Sequence, residues 1–164
     1  MSVTLIAAAA SNGIIGANNG MPWKLKSEMA YFKAQTLHKT VLMGRKTFES
    51  LKSPLKDRTN VILSRTMDEA PEPCVLVRSI EEALEKFGGE ELMVIGGAEI
   101  YRQALPFANR ILLTEIDREY EGDTYFPDFD RNVWKLVSRT QGVQDDEHNN
   151  VPFSFCVYER TSDK

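Results

Sequence analysis

A mainly apolar segment near the N-terminus, residues 3–10 with Thr4 as its single polar residue, constrains the fold more than any other part of the sequence. It is too short to span a bilayer, and no basic residue precedes it as in a signal peptide. Continuous apolar runs of this length are typical of strands that are covered on both faces of a sheet. We therefore expect a central, buried strand in a protein of the cytoplasm.

Strand-like and helix-like segments alternate after this strand. Apolar runs predict further strands at residues 40–43, 60–64, 74–77 and 92–95, and periodic segments predict helices at 25–37, 45–51, 80–87 and 98–105. Ser79 and Glu82 have the spacing of a capping box for the third helix. From residue 110 the pattern changes to strands alone, at 111–116, 134–140 and 153–158. The order predicts one α/β domain over residues 1–164, with a mainly parallel central sheet, a C-terminal antiparallel hairpin and about four flanking helices.

Composition excludes several classes of protein. At 164 residues, with 42% hydrophobic and 27% charged residues, the chain suits a single globular domain with its own core. The net charge of -4 and the lack of a basic block argue against nucleic acid as the main partner. Cys74 and Cys156 stand alone, which predicts free thiols in a reducing compartment. No His, Cys or Asp cluster has metal-ligand spacing, so no metal is expected.

Glu28 is an acid beside apolar residues in the first predicted helix. Leu25, Met29 and Phe32 recur at helical spacing, so we expect them to share a buried stripe with Glu28 at its edge. An acid there has two interpretations. It stabilises the first turn through the helix dipole, or it is a carboxylate aimed into a pocket.

Three polar motifs follow predicted strands, where open α/β sheets bind their ligands. Cations after two of the strands favour a phosphate, and the ribose 2′-phosphate of NADP in particular. A glycine pair after the third lets the backbone approach a pyrophosphate, although each glycine alone also suits a simple turn. The motifs are Gly44-Arg45-Lys46-Thr47, Ser64-Arg65 and Gly96-Gly97. None is the G-x-G-x-x-G fingerprint of a standard dinucleotide fold.

Arg58 follows a turn that contains Pro54. A lone arginine at such a place is either a solvated surface charge or a fork for a substrate carboxylate. The residues alone leave both possibilities open.

Taken together, these motifs resemble dihydrofolate reductase of the bacterial chromosomal type. The resemblance covers essentially the whole chain in order, with almost no insertions. The segments that carry it are Ile15-Gly16, Met21-Pro22-Trp23, the helix through Phe32, Met43-Gly44-Arg45-Lys46-Thr47, Arg58, Ile95-Gly96-Gly97, Thr114-Glu115-Ile116, Glu121-Gly122-Asp123-Thr124 and Phe126-Pro127.

The resemblance implies reduction of 7,8-dihydrofolate to 5,6,7,8-tetrahydrofolate by NADPH, with hydride transfer to pterin C6 and protonation at N5 promoted by Glu28. It also implies a monomer that supports one-carbon metabolism and is inhibited by antifolates such as trimethoprim and methotrexate. Thr114 matches a hydroxyl bonded to the acid, and Trp23 matches an indole that holds a water. The implied catalytic residues are Glu28, Trp23, Thr114 and Met21.

The same resemblance implies two binding sets and a cis peptide between Gly96 and Gly97. The substrate set is Ile6, Ala7, Ala8, Glu28, Met29, Phe32, Ser50, Leu51, Leu55, Arg58, Ile95, Tyr101 and Thr114. The NADPH set is Ala8, Ile15, Gly16, Asn19, Gly20, Met21, Gly44, Arg45, Lys46, Thr47, Leu63, Ser64, Arg65, Arg78, Ile95, Gly96, Gly97, Ala98, Glu99, Ile100, Tyr101 and Thr124.

Residues 11–24 resemble a lid over the nicotinamide, and Asp123 matches an acid that bonds the closed lid. The chain departs from the common pattern at three places. Glu28 stands where many bacterial members have Asp, Lys56-Asp57 replaces Pro-Gly before Arg58, and Ser53 replaces a frequent basic residue. The longer side chain of Glu28 predicts a different fit of antifolates. The Lys56-Asp57 sequence predicts that Arg58 is held less rigidly.

Two alternatives stay open. The pyrimidine reductase of riboflavin synthesis has a related sheet and uses NADPH, but it fits Glu28, Trp23 and Arg58 poorly. A folate- or NADP-binding module without turnover would not need Glu28, Trp23 and Thr114 together. Turnover on dihydrofolate distinguishes all three.

Overall fold

The computed structural model of the chain describes residues 2–16, 26–51, 53–142 and 151–161. In this part the helices are α1 (Lys26–Thr36), α2 (Arg45–Leu51), α3 (Ile80–Phe87) and α4 (Ala98–Ala104), and a short 3-10 turn (Leu105–Phe107) follows α4. The strands are β1 (Ser2–Ala10), β2 (Ile14–Gly16), β3 (Thr40–Gly44), β4 (Thr59–Leu63), β5 (Val75–Val77), β6 (Glu91–Gly96), β7 (Arg110–Ile116), β8 (Thr124–Tyr125), β9 (Trp134–Gln141) and β10 (Phe153–Arg160). None of the helices in the described ranges has the length and apolar character needed to cross a membrane.

Eight strands form one sheet in the order β5-β4-β3-β6-β1-β7-β10-β9. The six strands from β5 to β7 are parallel, and β10 and β9 are antiparallel to their neighbours. The predicted mainly parallel sheet with a C-terminal antiparallel hairpin is confirmed. β1 lies between β6 and β7, and its residues 3–10 are all buried, as the apolar run predicts.

Hydrophobic clusters cover both faces of the sheet. Side chains alternate along a strand, so Leu5 of β1 packs in a cluster with Ile80 of α3 and Ile100 of α4. Ile6, the next residue, packs in a second cluster with Phe32 of α1 and Phe48 of α2. The helices therefore form one layer on each side of the parallel part of the sheet, whereas β9 is mostly exposed.

The start of the predicted lid, residues 11–24, contains a strand that sequence reasoning missed. β2 pairs antiparallel with β8, with Ile14 opposite Tyr125 and Gly16 opposite Thr124. A three-residue strand is too short to show a period, and its partner is distant in sequence. The pairing ties the start of the predicted lid to the segment that carries Asp123.

The buried face of α1 differs from the predicted stripe. Met29 is 54% exposed, so the prediction that it packs in the core is wrong, and Leu25 lies outside the described residues. The residues turned inward recur at the i, i+3, i+4, i+7, i+8 spacing of one helix face. They are Glu28, Tyr31, Phe32, Gln35 and Thr36, all buried or half-buried.

The predicted capping box of α3 is only partly formed. Ser79 Oγ accepts a hydrogen bond from the Glu82 backbone N–H at 3.0 Å. The Glu82 carboxylate accepts from the backbone N–H of Arg78 at 2.7 Å, one residue before the position that a full capping box uses. The helix begins where predicted, with a different reciprocal bond.

Two turns that meet beyond the end of α1 contain non-glycine residues in the left-handed region. His38 has φ 63° and Asp57 has φ 61°. The backbone N–H of His38 donates to the Asp57 carbonyl at 2.9 Å. Asp57 thus adopts a conformation that glycine adopts more readily.

We expect Asp57→Gly to raise the free energy of unfolding by up to about 1 kcal/mol, because glycine removes the left-handed penalty but adds unfolded-state entropy. Urea denaturation measures the change. Asp57→Ala is the matched control, since it removes the charge and keeps the penalty. A gain of equal size in both variants would contradict the conformational explanation.

Candidate active site

Glu28 lies in the first turn of α1 and is buried against the sheet, with 7% of its surface exposed. A position in the first turn favours the charged carboxylate through the helix dipole. Burial acts in the opposite direction and dominates, because it raises the pKa of Glu28 from its ordinary value of 4.5 to about 7. The carboxyl therefore exchanges a proton near neutral pH.

Two tyrosines lie within electrostatic range of Glu28. Burial is the main cause that raises the pKa of Tyr31 and of Tyr101, and the charge of Glu28 raises both further. The Tyr101 hydroxyl donates to the Ile6 carbonyl at 2.7 Å. This bond joins α4 to the middle of β1 and places Tyr101 near the acid.

Thr114 lies on β7 beside Ala8 of β1, fully buried. Between the described residues the structure has no hydrogen bond from its hydroxyl to the Glu28 carboxylate, so the bond implied by the resemblance stays a prediction. Trp23 and Met21, and with them Asn19 and Gly20 of the predicted cofactor set, lie outside the described residues.

The polar motifs at the ends of β3, β4 and β6 come together as predicted. Gly44 pairs in register with Leu63, and Met43 pairs with Gly96. Arg45 reaches from α2 to the turn after β4, where its Nη1 donates to Thr66 Oγ1 at 3.3 Å. The carboxyl ends of three parallel strands thus form one edge.

Glycines keep this edge free of side chains. Gly96 has φ +126°, and a Cβ there would lie 3.4 Å from Tyr101 Oη and 3.5 Å from Thr47 Oγ1. A Cβ on Gly44 would lie 3.0 Å from Ile100 Cγ1, tighter than ordinary packing allows. The peptide between Gly96 and Gly97 is cis, as the resemblance implies. The backbone here forms a cradle open to a close-fitting ligand.

Ser64 and Arg78 shape the turn that carries Arg65. Ser64 Oγ accepts from the backbone N–H groups of Thr66 and Met67, at 3.2 and 3.1 Å. Arg78 Nη1 donates to the Ser64 and Met67 carbonyls at 3.0 and 2.5 Å. Arg45, Lys46 and Arg65 are exposed around this turn. Their cations suit the phosphates of a dinucleotide.

Arg58 is held by two hydrogen bonds in spite of the Lys56-Asp57 sequence before it. Its Nη1 donates to Thr36 Oγ1 at 3.0 Å, and its Nε donates to the Lys56 carbonyl at 2.9 Å. The Thr36 hydroxyl itself donates to the Phe32 carbonyl at 2.8 Å, which turns its lone pairs towards Arg58. The guanidinium is therefore directed by the end of α1.

Asn60 organises the same turn and was missed from the sequence, as was Thr36. Its Oδ1 accepts from Leu55 N–H at 2.9 Å, and its Nδ2 donates to the carbonyls of Leu55 and Arg58 at 2.9 and 3.1 Å. Asn60 is 2% exposed. A polar residue at the start of an apolar strand was the available signal.

The comparisons with known proteins agree with this geometry. A sequence model of the family "Dihydrofolate reductase" matches residues 2–160. The chain belongs to this family. Dihydrofolate reductase of Bacillus subtilis is 42% identical over 159 residues, which cover 96% of this chain and 94% of the relative. That of Neisseria meningitidis serogroup A is 47% identical over 143 residues, covering 86% and 88%.

A solved dihydrofolate reductase also matches. The enzyme from Enterococcus faecalis, complexed with NADP(H) and the compound RAB-propyl, has a TM-score of 0.91 and 33% identity, covering 98% of this chain and 97% of that chain. The dihydrofolate reductase fold predicted from the resemblance is confirmed.

Several residues of the predicted substrate set share one apolar cluster. Ala7 is an exception, because its side chain packs in the cluster on the opposite sheet face. Ser50 and Met29 are exposed, and Ser50 donates to the Thr47 carbonyl at 2.7 Å. The clustered residues are Ile6, Phe32, Leu51, Leu55 and Ile95.

The remaining members of the cofactor set stay predictions. Ile15 packs against the core on the α3 and α4 side, and Glu99 is exposed and paired with Arg102. Thr124 lies opposite Gly16 in the β2–β8 pair. Of the three, Glu99 lies in the first turn of α4, directly after Gly96 and Gly97 at the end of β6.

Proposed function

We propose that this protein catalyses the NADPH-dependent reduction of 7,8-dihydrofolate to 5,6,7,8-tetrahydrofolate, with the hydride added at pterin C6 and a proton at N5. The observation that carries the proposal is the buried Glu28, whose pKa of about 7 suits proton transfer near neutral pH. Membership of the family and the cation-rich glycine edge support it.

Glu28 has two tasks in this mechanism. Its carboxylate pairs with the amidine-like edge of the pterin ring, and its proton promotes protonation at N5. Because burial favours the neutral form, the acid keeps a proton available at neutral pH. Thr114 and Trp23 orient the acid and a water in this proposal.

The edge formed by the carboxyl ends of β3, β4 and β6 fits NADPH. Gly44, Gly96 and Gly97 leave room for the backbone to approach the cofactor, and Arg45, Lys46 and Arg65 supply charge for its phosphates. When bound, NADPH supplies the hydride. The protein excludes water and places the two reactants side by side.

The apolar cluster around Ile6 and Phe32 suits the aminobenzoyl ring of the substrate. Arg58 suits the α-carboxylate of its glutamate, because a guanidinium binds a carboxylate with two parallel hydrogen bonds. In this role the enzyme supports one-carbon metabolism as a cytoplasmic monomer, and antifolates compete for the pterin side of the site.

Loss of absorbance at 340 nm with NADPH and dihydrofolate tests the proposal, with NADH as the matched control. We expect turnover with NADPH and much weaker turnover with NADH, because the cations of the edge select the 2′-phosphate. Binding of NADPH without turnover would favour a binding module. Turnover only on a ribosylated pyrimidine would favour the reductase of riboflavin synthesis.

Asp123 is expected to support closure of the predicted lid. Its Oδ1 accepts a hydrogen bond from Thr124 Oγ1 at 2.8 Å, directly before the strand that pairs with β2. We expect Asp123→Ala to slow single-turnover hydride transfer by about tenfold, which is about 1.4 kcal/mol, with little change in stability.

Asp128→Ala is the matched control for Asp123→Ala, since Asp128 is another exposed acid in the same segment. Single-turnover rates equal to those of the parent would contradict the role of Asp123. Equal slowing in both variants would assign the effect to net charge instead.

A further inference from the structure

One aromatic contact joins α1 to β10, in the antiparallel part of the sheet. The rings of Tyr31 and Phe155 stack with centroids 4.1 Å apart and an interplanar angle of 18°. Phe155 lies on β10 and also meets Phe153 edge to face at 5.5 Å. Aromatic pairs of this kind add stabilisation beyond the area that they bury.

The stack lies next to Glu28. Tyr31 follows Glu28 by three residues, so both side chains lie on the same face of α1, one turn apart. Phe155 pairs in register with Thr114, and Thr114 pairs with Ala8. The two rings, called the wall below, therefore lie on the side of β7 and β10, beside the face of α1 that carries Glu28.

Exclusion of solvent is the main influence on the pKa of Glu28. Among the described residues, the titratable groups that interact with the wall or the acid are Tyr31 on α1, Tyr101 on α4, Arg110 on β7 and Cys156 on β10. The pKa of Glu28 is raised by burial. Anything that admits water to the carboxyl favours its charged form.

We propose that Tyr31 and Phe155 are positioning residues for Glu28, which fix α1 over the sheet and keep water from the side of the carboxyl that faces β7 and β10. The inference rests on the proposed function of Glu28. This role depends on the packing of the two ring faces and not on the Tyr31 hydroxyl.

The test is an NMR titration of the ligand-free protein labelled with ¹³C at the glutamate carboxyls, with the Glu28 signal assigned through Glu28→Gln. We expect Phe155→Ala and Tyr31→Ala each to lower the midpoint of the Glu28 titration by about one pH unit, because water enters beside the carboxyl. Tyr31→Phe keeps the stack and leaves the midpoint unchanged. Phe155→Leu, which keeps apolar volume and the strand, shifts it less than Phe155→Ala.

Phe129→Ala is the matched control. Phe129 is a half-buried aromatic that packs on Tyr158 and Trp134, against the opposite face of the sheet. We expect it to leave the midpoint unchanged. An unchanged midpoint in folded Phe155→Ala and Tyr31→Ala proteins would overturn the inference, and so would an equal shift in Tyr31→Phe.

Single-turnover reduction of dihydrofolate across pH 5 to 9 provides the second readout. Its pH profile shifts with the titration midpoint if the stack acts through Glu28. If the parent does not reduce dihydrofolate, the proposed function fails, whereas the NMR titration still decides the role of the stack.

Discussion

Replacing Glu28 with Gln is expected to slow hydride transfer at pH 7 by about 100- to 1,000-fold, the range typical of a lost general acid. Gln fills the same volume but cannot exchange a proton. We expect the rate of the variant to recover partly towards pH 5, where the substrate becomes protonated from solvent. The rate of the parent falls above pH 7, because the pKa of Glu28 is about 7. Single-turnover measurements from pH 5 to 9 check both profiles.

The raised pKa of Glu28 also fixes the sign of the change in stability that Glu28→Gln causes. The pKa of Glu28 is raised in the folded protein, so the native state binds more protons than the unfolded state between pH 4.5 and about 7. Its contribution is present below pH 4.5 and is lost as pH rises through 7. Glu28→Gln is therefore expected to gain stability over the parent at pH 8, by on the order of 3 kcal/mol. A slow variant that is also less stable at pH 8 would indicate general damage.

Asn60→Ala is expected to have the largest effect on stability. Its side chain accepts a hydrogen bond from the Leu55 N–H and donates to the carbonyls of Leu55 and Arg58. The side chain is buried. Removing it leaves these groups without their partner, and we expect a loss of about 2–4 kcal/mol in the free energy of unfolding. Because the turn carries Arg58, we also expect KM for dihydrofolate to rise about tenfold with kcat little changed.

Urea denaturation and steady-state kinetics measure the two effects of Asn60→Ala. Asn132→Ala is the matched control, because Asn132 is exposed and distant from the turn. We expect it to change stability by less than about 0.5 kcal/mol. A raised KM in a protein of unchanged stability would show that Asn60 acts on Arg58 without supporting the fold.

Most of the sheet could be predicted from the sequence, because the strands of its parallel part are local apolar runs. Residues 3–10 gave the central strand, and the bounds of α2 and α3 were correct at both ends. β2 and β8 were missed because their signal lies in a pairing between distant segments. Local pattern therefore predicts elements better than it predicts short pairings.

The face of α1 shows why the candidate site was harder to predict. The apolar pattern placed Met29 inside, whereas the structure turns Glu28 and Thr36 inside and Met29 outward. Two of the inward residues are polar for a specific reason: Thr36 bonds Arg58, and Glu28 is the proposed acid. A rule that equates apolar with buried fails at such positions. The residues alone made Glu28 and Arg58 candidates, the resemblance supplied their roles, and only the structure identified Thr36 and Asn60.

The place of β1 in the sheet has a consequence for the order in which the protein forms during synthesis. β1 precedes its sheet partners β6 and β7 in the chain, so these partners leave the ribosome much later than β1 does. Until then its apolar surface has no strand to pair with, and the pairing closes a long loop of chain. The nascent protein is therefore expected to carry an aggregation-prone segment until β6 and β7 have emerged. Because Ile6 and Ala8 lie on that strand, the proposed binding site forms only after β7 has emerged.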